Sequence, residues 1–355
     1  MFFLGETAHI SGLCHSIVRG ELYNTCPLSC RYCYAKWYRE EKEGENKKIF
    51  KLINLLKDID LPITPVRFST LSDPLLKPRF FNKVIKLILK YEIPIIINTK
   101  LYRREVIGTL KELSDLCVLQ VSIPSLTQVE ELEKVPVEDR FKLIEELSDY
   151  LPIAVRLQPF IPGISDKELE NFFKRIELAN LLIVEFLRVP EEELSFYKKF
   201  EPSVSWEKYL PKANLLTPSL SYKIKILTKV RELCNDYEIK LTTCKEGLFN
   251  FHDNIDCCGF EFLKVPYKRR ATLYDAYALL KEKKRVEIEE FFKYCEKRFL
   301  SGKTLEEYPK WYAKPFIKHE KRLRKLLMSE VLNYLTPLIK VENSHLTLSS
   351  FSPIF

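Results

Sequence analysis

The sequence predicts an α/β protein built on an incomplete (β/α)6 barrel of the TIM type. Apolar, β-rich runs alternate with amphipathic helical stretches as far as about residue 190, which is the pattern of repeated βα units and a parallel sheet. No glycine-rich loop follows any of these runs, and the chain has only nine glycines, which disfavours a doubly wound sheet with a phosphate-binding loop.

Six strands and five helices are predicted in this part of the chain. The predicted strands are Ser16–Leu22, Val66–Thr70, Pro94–Thr99, Cys117–Ile123, Ile153–Gln158 and Leu181–Leu187. The predicted helices are Ala35–Glu43, Phe81–Tyr91, Glu105–Leu113, Glu138–Leu147 and Asp166–Ile176. Because chemistry in such barrels belongs to the carboxyl ends of the strands, a site is expected in the loops that follow them.

Three regions are expected along the 355 residues: a barrel core over 1–190, an extension over 191–263 and a basic, mainly helical tail over 264–355. The extension should contain a helix, Tyr222–Tyr237, and a strand, Glu238–Thr243, before a cysteine-containing loop. Between Lys264 and Lys340 the tail has 20 Lys and Arg against 10 Asp and Glu, so it holds the excess positive charge of a chain whose net charge is +8.

The composition indicates a globular protein outside the membrane. Hydrophobic residues make up 46% of the chain and charged residues 30%. No run of about 18 apolar residues is present and the first residues lack the pattern of a secretion signal, so a cytoplasmic location without a membrane partner is expected. In that compartment, ten cysteines favour metal ligands and free thiols over disulfides.

Three cysteines follow the first predicted strand with the spacing C-x3-C-x2-C: Cys26, Cys30 and Cys33. Three thiolates on a four-iron cluster leave one iron without a protein ligand, and an open coordination position can bind a small chelating cofactor. The alternatives are a zinc knuckle and reactive thiols. Zinc sites usually pair two C-x2-C units, however, and no second unit is present, so the spacing favours the cluster.

Polar residues recur where the predicted strands end: Ser72 and Asp73, then Lys100, Ser122 and Arg156. Each alone is typical of a helix cap or a snorkelling side chain. At successive strand ends, together, they outline a pocket.

The chain resembles the radical S-adenosylmethionine superfamily, and within it the branch around spore photoproduct lyase and proteins labelled DNA repair photolyase. The resemblance covers about residues 18–190. It rests on the cysteine loop with Cys33-Tyr34, on Ser72-Asp73-Pro74, Asn98-Thr99-Lys100 and Val121-Ser122-Ile123, and on the run from Val155 to Gly163.

The resemblance implies two cofactors and an electron donor. The amino and carboxylate groups of S-adenosylmethionine would chelate the open iron of a 4Fe-4S cluster, and an electron from the cluster would cleave the sulfonium to a 5′-deoxyadenosyl radical that takes hydrogen from a substrate. A ferredoxin or flavodoxin would supply the electron. The residues implied to contact S-adenosylmethionine are Ser72, Asp73, Lys100 and Ser122, with Tyr32 beside the adenine and Arg156 as a second partner of the carboxylate.

Two positions bear on hydrogen transfer. Tyr34 matches a tyrosine proposed to relay hydrogen in the lyase, the alternative being an aromatic ring packed over the cluster. Where the lyase has a hydrogen-donating cysteine, two residues before the Ser-Asp pair, this chain has Thr70. A hydroxyl O–H bond is too strong to replace a thiol there, which argues against thymine-dimer lyase activity itself.

A second group, Cys244, Cys257 and Cys258, lies in the extension. It predicts a second metal site, either an auxiliary iron–sulfur cluster or a zinc site completed by His252, Cys14 or His15. The alternatives are a hydrogen-donating thiol and a structural loop that caps the open side of the barrel.

The tail contains three basic stretches, Lys268–Arg270, Lys281–Arg285 and Lys318–Lys325. The interleaved aromatic residues are Tyr274, Phe291, Phe292, Tyr294, Trp311 and Tyr312. Basic surfaces with aromatic rings suit DNA or RNA, so the leading prediction is a radical enzyme that repairs or modifies a nucleic acid. The alternatives are radical modification of a peptide or small metabolite, and a non-catalytic iron–sulfur or zinc protein that binds nucleic acid.

Overall fold

The computed structural model describes residues 3–4, 11–16, 18–37, 43–68, 70–127, 129–211, 213–299 and 305–351. Its strands are β1 Phe3–Leu4, β2 Val18–Gly20, β3 Val66–Phe68, β4 Ile95–Thr99, β5 Cys117–Ser122, β6 Ile153–Phe160, β7 Leu181–Phe186, β8 Val189–Pro190, β9 Trp206–Lys208, β10 Leu215–Pro218, β11 Lys240–Thr243, β12 Arg285–Glu287, β13 Ile339–Glu342 and β14 His345–Leu348. Its helices are α1 Lys48–Leu56, α2 Pro78–Lys90, α3 Arg104–Lys111, α4 Glu138–Leu147, α5 Leu169–Arg175, α6 Leu194–Lys198, α7 Leu220–Asp236, α8 Leu273–Lys283, α9 Ile288–Phe299, α10 Lys310–Leu327 and α11 Leu332–Leu335.

The main sheet confirms the predicted α/β fold. Its strand order is β1-β2-β3-β4-β5-β6-β7-β11, and every neighbouring pair is parallel except β1 with β2. The six predicted strands are present, and β11 adds a seventh parallel strand that pairs with β7, Lys240 lying opposite Leu181. Within the described residues β1 and β11 do not pair with each other, so the sheet is a partial barrel that is open on one side.

The two faces of the sheet bury different side chains. Along β4, Ile95 and Ile97 join the large core under the helices, while Ile96 points into a smaller apolar cluster inside the barrel with Cys257 and Phe260. Further along the strands the inner face becomes polar: Val118 is followed by Gln120 on β5, and likewise Ala154 by Arg156 on β6 and Ile183 by Glu185 on β7. The interior is therefore filled by apolar side chains toward the amino ends of the strands and lined by polar side chains toward their carboxyl ends.

Two local predictions differ from the structure. Helix α1 was not predicted, although Ile49, Leu52, Ile53 and Leu56 follow the helical period and are all buried. The helix predicted over Ala35–Glu43 is instead a 3-10 turn, Tyr34–Trp37, and the remainder of that prediction, residues 38–42, lies outside the described residues.

Beyond the barrel, a small antiparallel sheet, β8-β10-β9, precedes α7. The tail is mainly helical, as predicted, and adds an unpredicted antiparallel sheet, β12-β14-β13, over a second apolar core. No helix among the described residues is long and apolar enough to cross a membrane.

The tail is hydrogen-bonded to the barrel at two places. The hydroxyl of Tyr312 accepts the backbone N–H of Thr64, which precedes β3, at 2.7 Å. After β11, the carbonyl of Gly247 accepts the Thr336 hydroxyl, also at 2.7 Å. Gly247 has φ of +69°, and a Cβ there would lie 1.7 Å from the carbonyl oxygen of Leu335, so glycine permits this close approach.

Candidate cofactor site at the carboxyl end of the sheet

The cysteine loop directly follows β2 at the carboxyl end of the sheet. Cys30 is buried, while Cys26 and Cys33 are partly exposed, and the N–H of Cys33 donates to the carbonyl of Cys30 at 3.1 Å. Burial raises the pKa of the Cys30 thiol to about 11, and the nearby Cys33 and Cys26 act in the same direction. Three mutually close thiols thus lie where a site was expected.

The three thiols of this loop match in number the protein ligands of a four-iron cluster with one open iron. Beside the loop, the hydroxyl oxygens of Thr70 and Ser72 are buried without a hydrogen-bond partner. These two hydroxyl groups are available to form hydrogen bonds with a ligand.

Glu21, which the sequence analysis missed, holds the backbone beside this loop. Its carboxylate accepts the N–H of Thr70 at 3.0 Å and that of Leu71 at 3.1 Å. Burial raises the pKa of Glu21 to about 7, although these backbone hydrogen bonds oppose the shift. A lone acidic residue at a strand end carries no spacing signal, which is why the sequence did not reveal it.

Asp73 orders the loops that carry its neighbours. Its carboxylate accepts the Thr99 hydroxyl at 2.8 Å, the N–H of Lys100 at 2.7 Å and the N–H of Leu75 at 2.9 Å. Both oxygens are thus engaged within the protein, so Asp73 joins the ends of β3 and β4. Ser122, the next predicted residue, donates to the carbonyl of Gln158 at 3.1 Å.

Lys100 and Tyr32 meet at a carboxylate that the sequence analysis also missed. The ammonium of Lys100 lies 2.8 Å from the Tyr32 hydroxyl and 3.0 Å from Glu133 Oε2. Glu133 also contacts the hydroxyl of Tyr32 and the guanidinium of Arg140, which is completely buried. Burial alone would raise the pKa of Glu133, but Lys100 and Arg140 hold it below its ordinary value. One carboxylate between two cations leaves this group with a positive charge next to the cysteine loop.

Tyr34 is not packed inside the protein. Its side chain is 49% exposed, its hydroxyl donates to the carbonyl of Thr70 at 2.9 Å, and the Lys245 ammonium lies 5.7 Å from the ring centre. The residue therefore lies between the cysteine loop and the polar interior of the barrel. Its role in hydrogen transfer stays a prediction.

Arg156 belongs to a separate network inside the barrel. It donates to Gln158 Oε1 at 2.5 Å and to Gln120 Oε1 at 3.1 Å, and lies 3.6 Å from Glu185. Glu185 also contacts Arg188 and Lys245, and these cations hold its pKa at about 2 against the effect of burial. The contacts of Arg156 are thus with the barrel lining, and its contact with S-adenosylmethionine stays a prediction.

The second cysteine group converges inside the barrel. Cys244, Cys257 and Cys258 are all buried, with 3.9 Å between Sγ of Cys257 and Sγ of Cys258. A hydrogen bond from Cys257 lowers the pKa of Cys244 to about 6 against the effect of burial. The guanidinium of Arg67, on β3, lies 3.9 Å from Sγ of Cys258.

Of the three side chains considered as a further ligand, both histidines have other partners. His252 Nε2 accepts the N–H of Thr243 at 3.0 Å, and His15 lies 3.0 Å from the Thr272 hydroxyl. Cys14 lies close enough to Cys244 for the two thiols to affect each other's ionisation. The second metal site stays a prediction.

The first basic stretch of the tail is buried, which corrects its place in the predicted surface. Lys268, Arg269 and Arg270 are at most 4% exposed. Arg269 forms an ion pair with Asp275 at 2.7 Å, and Lys268 lies over the ring of Tyr308. These cations have partners within the folded protein, and a run of basic residues in the sequence does not indicate which partners they have.

The aromatic residues of the tail also differ from expectation. Phe291, Phe292 and Tyr312 are buried in the apolar cores and are not free to stack on bases. In the second and third basic stretches the exposed residues are Lys281, Lys283, Lys284, Arg285, Lys318, Lys321, Arg322 and Lys325.

Comparison with known proteins matches part of the chain to one family. Residues 21–176 match the family model of the radical SAM superfamily. No protein with a curated description matches the chain.

Among solved structures, a point mutant of spore photoproduct lyase is similar with a TM-score of 0.52 and 11% identity, over 68% of this chain and 78% of that one. SuiB of Streptococcus suis bound to S-adenosylmethionine gives a TM-score of 0.45 and 15% identity, over 63% and 49%. Methylornithine synthase gives 0.41 and 13%, over 75% and 80%. At these identities the first similarity bears on the fold alone.

Proposed function

Residues 21–176 form a radical SAM domain, so the chain is a radical SAM enzyme, and from this premise we propose that it acts on a nucleic acid. The domain implies a 4Fe-4S cluster and S-adenosylmethionine as cofactors. When bound, these two groups supply a one-electron cleavage of the sulfonium.

The proposed roles of the chain's own residues follow from their placement. Cys26, Cys30 and Cys33 hold the cluster, and the group formed by Lys100, Glu133 and Arg140 presents its positive charge to the methionine carboxylate. The unpartnered hydroxyl of Ser72 is available to a hydroxyl or carboxylate of the same cofactor. Glu21 and Asp73 position the backbone around them.

The observation that supports a nucleic-acid substrate is the exposed basic surface of the tail. Lys281 and Lys283 lie in the last turn of α8, Lys284 directly follows it and Arg285 begins β12. All four are exposed, and Lys283 is paired with Glu290. Four cations on consecutive or nearly consecutive positions can neutralise several phosphates at once. Thr70 in place of a thiol favours a reaction other than thymine-dimer cleavage, such as modification of a base.

The salt response of binding tests this proposal without knowledge of the sequence that is bound. Log affinity for single-stranded and duplex DNA and RNA should fall linearly with log salt, by about 0.7 to 0.9 per phosphate contacted. Replacing the four cations at 281, 283, 284 and 285 with Gln should lower that slope by roughly 3. A matched control replaces four exposed lysines on, or directly after, the barrel helices: Lys57, Lys83, Lys86 and Lys90.

Equal slopes for the parent and the tail variant would remove the tail as a nucleic-acid surface and favour a peptide or small-metabolite substrate.

Catalytic activity is tested in a separate experiment. Anaerobically reconstituted protein with dithionite, or with a ferredoxin or flavodoxin as the natural donor, should form 5′-deoxyadenosine. Nucleic-acid binding without such cleavage would favour the non-catalytic alternative. A cytoplasmic location fits these electron donors and is part of the proposal.

A further inference from the structure

We propose that a cavity between helix α8 and the segment after β11 binds one unpaired adenine of a nucleic-acid strand. The inference rests on the proposed function, because the strand that supplies the base is the one that the basic tail binds. The residues of this cavity differ from those around the cysteine loop, so the site would recognise the strand and not the group that reacts.

The cavity has a volume of about 280 Å³. Its lining on one side is Phe249, Asn250 and His252, which follow β11. On the other side it is a face of α8 on which Tyr274 and Lys281 are two turns apart. Sites for small molecules usually have volumes of about 300–1,000 Å³, so this one has room for a single small group such as a base.

The carboxamide of Asn250 is the main polar group of the lining. Its Nδ2 and Oδ1 atoms are both buried, and neither has a hydrogen-bond partner among the described residues. A buried amide without partners is unfavourable, and a ligand that presents an acceptor next to a donor would satisfy both atoms. Adenine presents such a pair at N7 and its 6-amino group, and asparagine binds that edge with two hydrogen bonds.

His252 adds a second donor to the lining. Its Nε2 accepts the N–H of Thr243 at 3.0 Å, so in the neutral ring the proton is on Nδ1, which is buried without a partner in the described part of the chain. Burial lowers the pKa of His252 to about 3, so the ring is neutral at ordinary pH. Two donors and one acceptor in the lining match two ring nitrogens and the amino group of adenine.

Aromatic rings form the rest of the lining. The rings of His252 and Tyr274 are stacked, with 5.1 Å between their centres and 23° between their planes. Phe249 packs against both, and its ring centre lies 5.8 Å from that of Tyr277. Tyr274 and Tyr277 are only partly buried. Bases of any kind stack on such rings, so the rings supply affinity and Asn250 supplies the preference for adenine.

Lys281 joins the cavity to the basic surface of the tail. It lines the cavity, it is exposed, and it forms no ion pair with another described residue. Glu282 also lines the cavity, where the ammonium of the neighbouring Lys283 offsets its charge. Lys284 and Arg285 follow directly. A phosphate next to the bound base would therefore meet several cations within a few residues of the cavity.

Fluorescence anisotropy with labelled single strands and the full-length protein tests the proposal. Three strands of equal length are compared: oligothymidylate, the same strand with one central adenine, and the same strand with an abasic site at that position. All three carry the same phosphates, so their salt slopes should be equal. The strand with adenine should bind roughly five- to a hundredfold more tightly than either of the others.

Two variants assign this preference to the cavity. Asn250→Leu has nearly the same shape and loses no hydrogen bond within the described protein, so it should fold, keep the salt slope and lose the preference for adenine. Ala278→Phe fills the cavity from α8 and should have the same effect, which decides the matter if Asn250→Leu does not fold. The matched control is Asn82→Leu, at a partly buried asparagine that lines a different cavity on α2, and it should keep the preference.

The outcomes separate this inference from the proposed function. Salt-dependent binding of the three strands with equal affinity would overturn the adenine site and leave the proposed function in place, whereas no salt-dependent binding to any strand would overturn both. A preference for adenine that persists in folded Asn250→Leu or Ala278→Phe would refute the assignment to this cavity. Adenosine 5′-monophosphate is tested in parallel. If it binds as tightly as the strand with adenine, and Asn250→Leu abolishes that binding, the cavity is a site for a free nucleotide and the inference is wrong.

Discussion

Replacing Lys100 with Met should weaken S-adenosylmethionine binding without loss of iron. The ammonium of Lys100 lies 3.0 Å from Glu133, which in turn contacts Arg140, so two cations share one carboxylate. Removing Lys100 takes the group from a net positive charge to neutrality. Glu133 keeps Arg140 and the Tyr32 hydroxyl as partners, so the fold should be retained.

The magnitude follows from the charges. A carboxylate about 4 Å from one uncompensated cation gains about 4 kcal/mol at an effective dielectric constant of 20, and Glu133 offsets part of this. What remains is the usual range for a charge-assisted hydrogen bond, about 1.5–3 kcal/mol, so the dissociation constant should rise roughly tenfold to a hundredfold.

Isothermal titration of reconstituted protein under anaerobic conditions measures this effect, with the iron count as a check. Lys86→Met, an exposed lysine on α2, is the matched control and should bind as the parent does. An unchanged dissociation constant in Lys100→Met, with iron intact, would exclude Lys100 from the cofactor site. Loss of iron would show instead that the residue supports the cysteine loop.

Three further predictions concern stability. Glu133→Gln leaves the buried Arg140 without a carboxylate and should lower the free energy of unfolding by about 3–5 kcal/mol in urea titrations. Adding Arg140→Met should restore part of this loss. If the double variant recovers no stability, the reasoning is wrong. Burial lowers the pKa of Lys268 to about 7, so the folded state binds fewer protons than the unfolded state between pH 7 and 10.5. The free energy of unfolding of the parent should therefore rise by roughly 3 kcal/mol from pH 7 to 10, and that of Lys268→Met should not. The same pH dependence of stability in both proteins would contradict this role of Lys268. Gly247→Ala places a Cβ 1.7 Å from the Leu335 carbonyl oxygen and should speed limited proteolysis of the tail, whereas Gly108→Ala, with no atom within 4 Å, should not.

The sequence predicts those parts of this molecule that depend on local pattern. The six barrel strands are near-continuous runs of β-branched and aliphatic residues, and the three cysteines of the first loop have a fixed spacing. Both features can therefore be recognised from the sequence alone. The Ser72-Asp73 pair and Lys100 were placed at strand ends for the same reason.

The parts that the sequence does not predict depend on distant residues. Glu133 meets Lys100 and Arg140 only after β4 and α4 are positioned, and Glu21 binds the backbone of a loop 50 residues away. The cations at 268–270 look like a surface stretch until the fold brings Asp275 and the rings of α10 to them. Isolated carboxylates and buried charges thus escape sequence reasoning because their partners are set by tertiary packing.

The attachment of the tail to the barrel at two places has a consequence for synthesis of the chain. The last barrel strand ends at Thr243, but the contacts of Tyr312 with Thr64 and of Thr336 with Gly247 come from the last fifty residues of the sequence. At 5–20 residues per second, a ribosome needs roughly 5 to 20 seconds to pass from Thr243 to Thr336. During that interval the parallel sheet can form before either of these two contacts exists, so the tail joins a barrel whose strands are already complete.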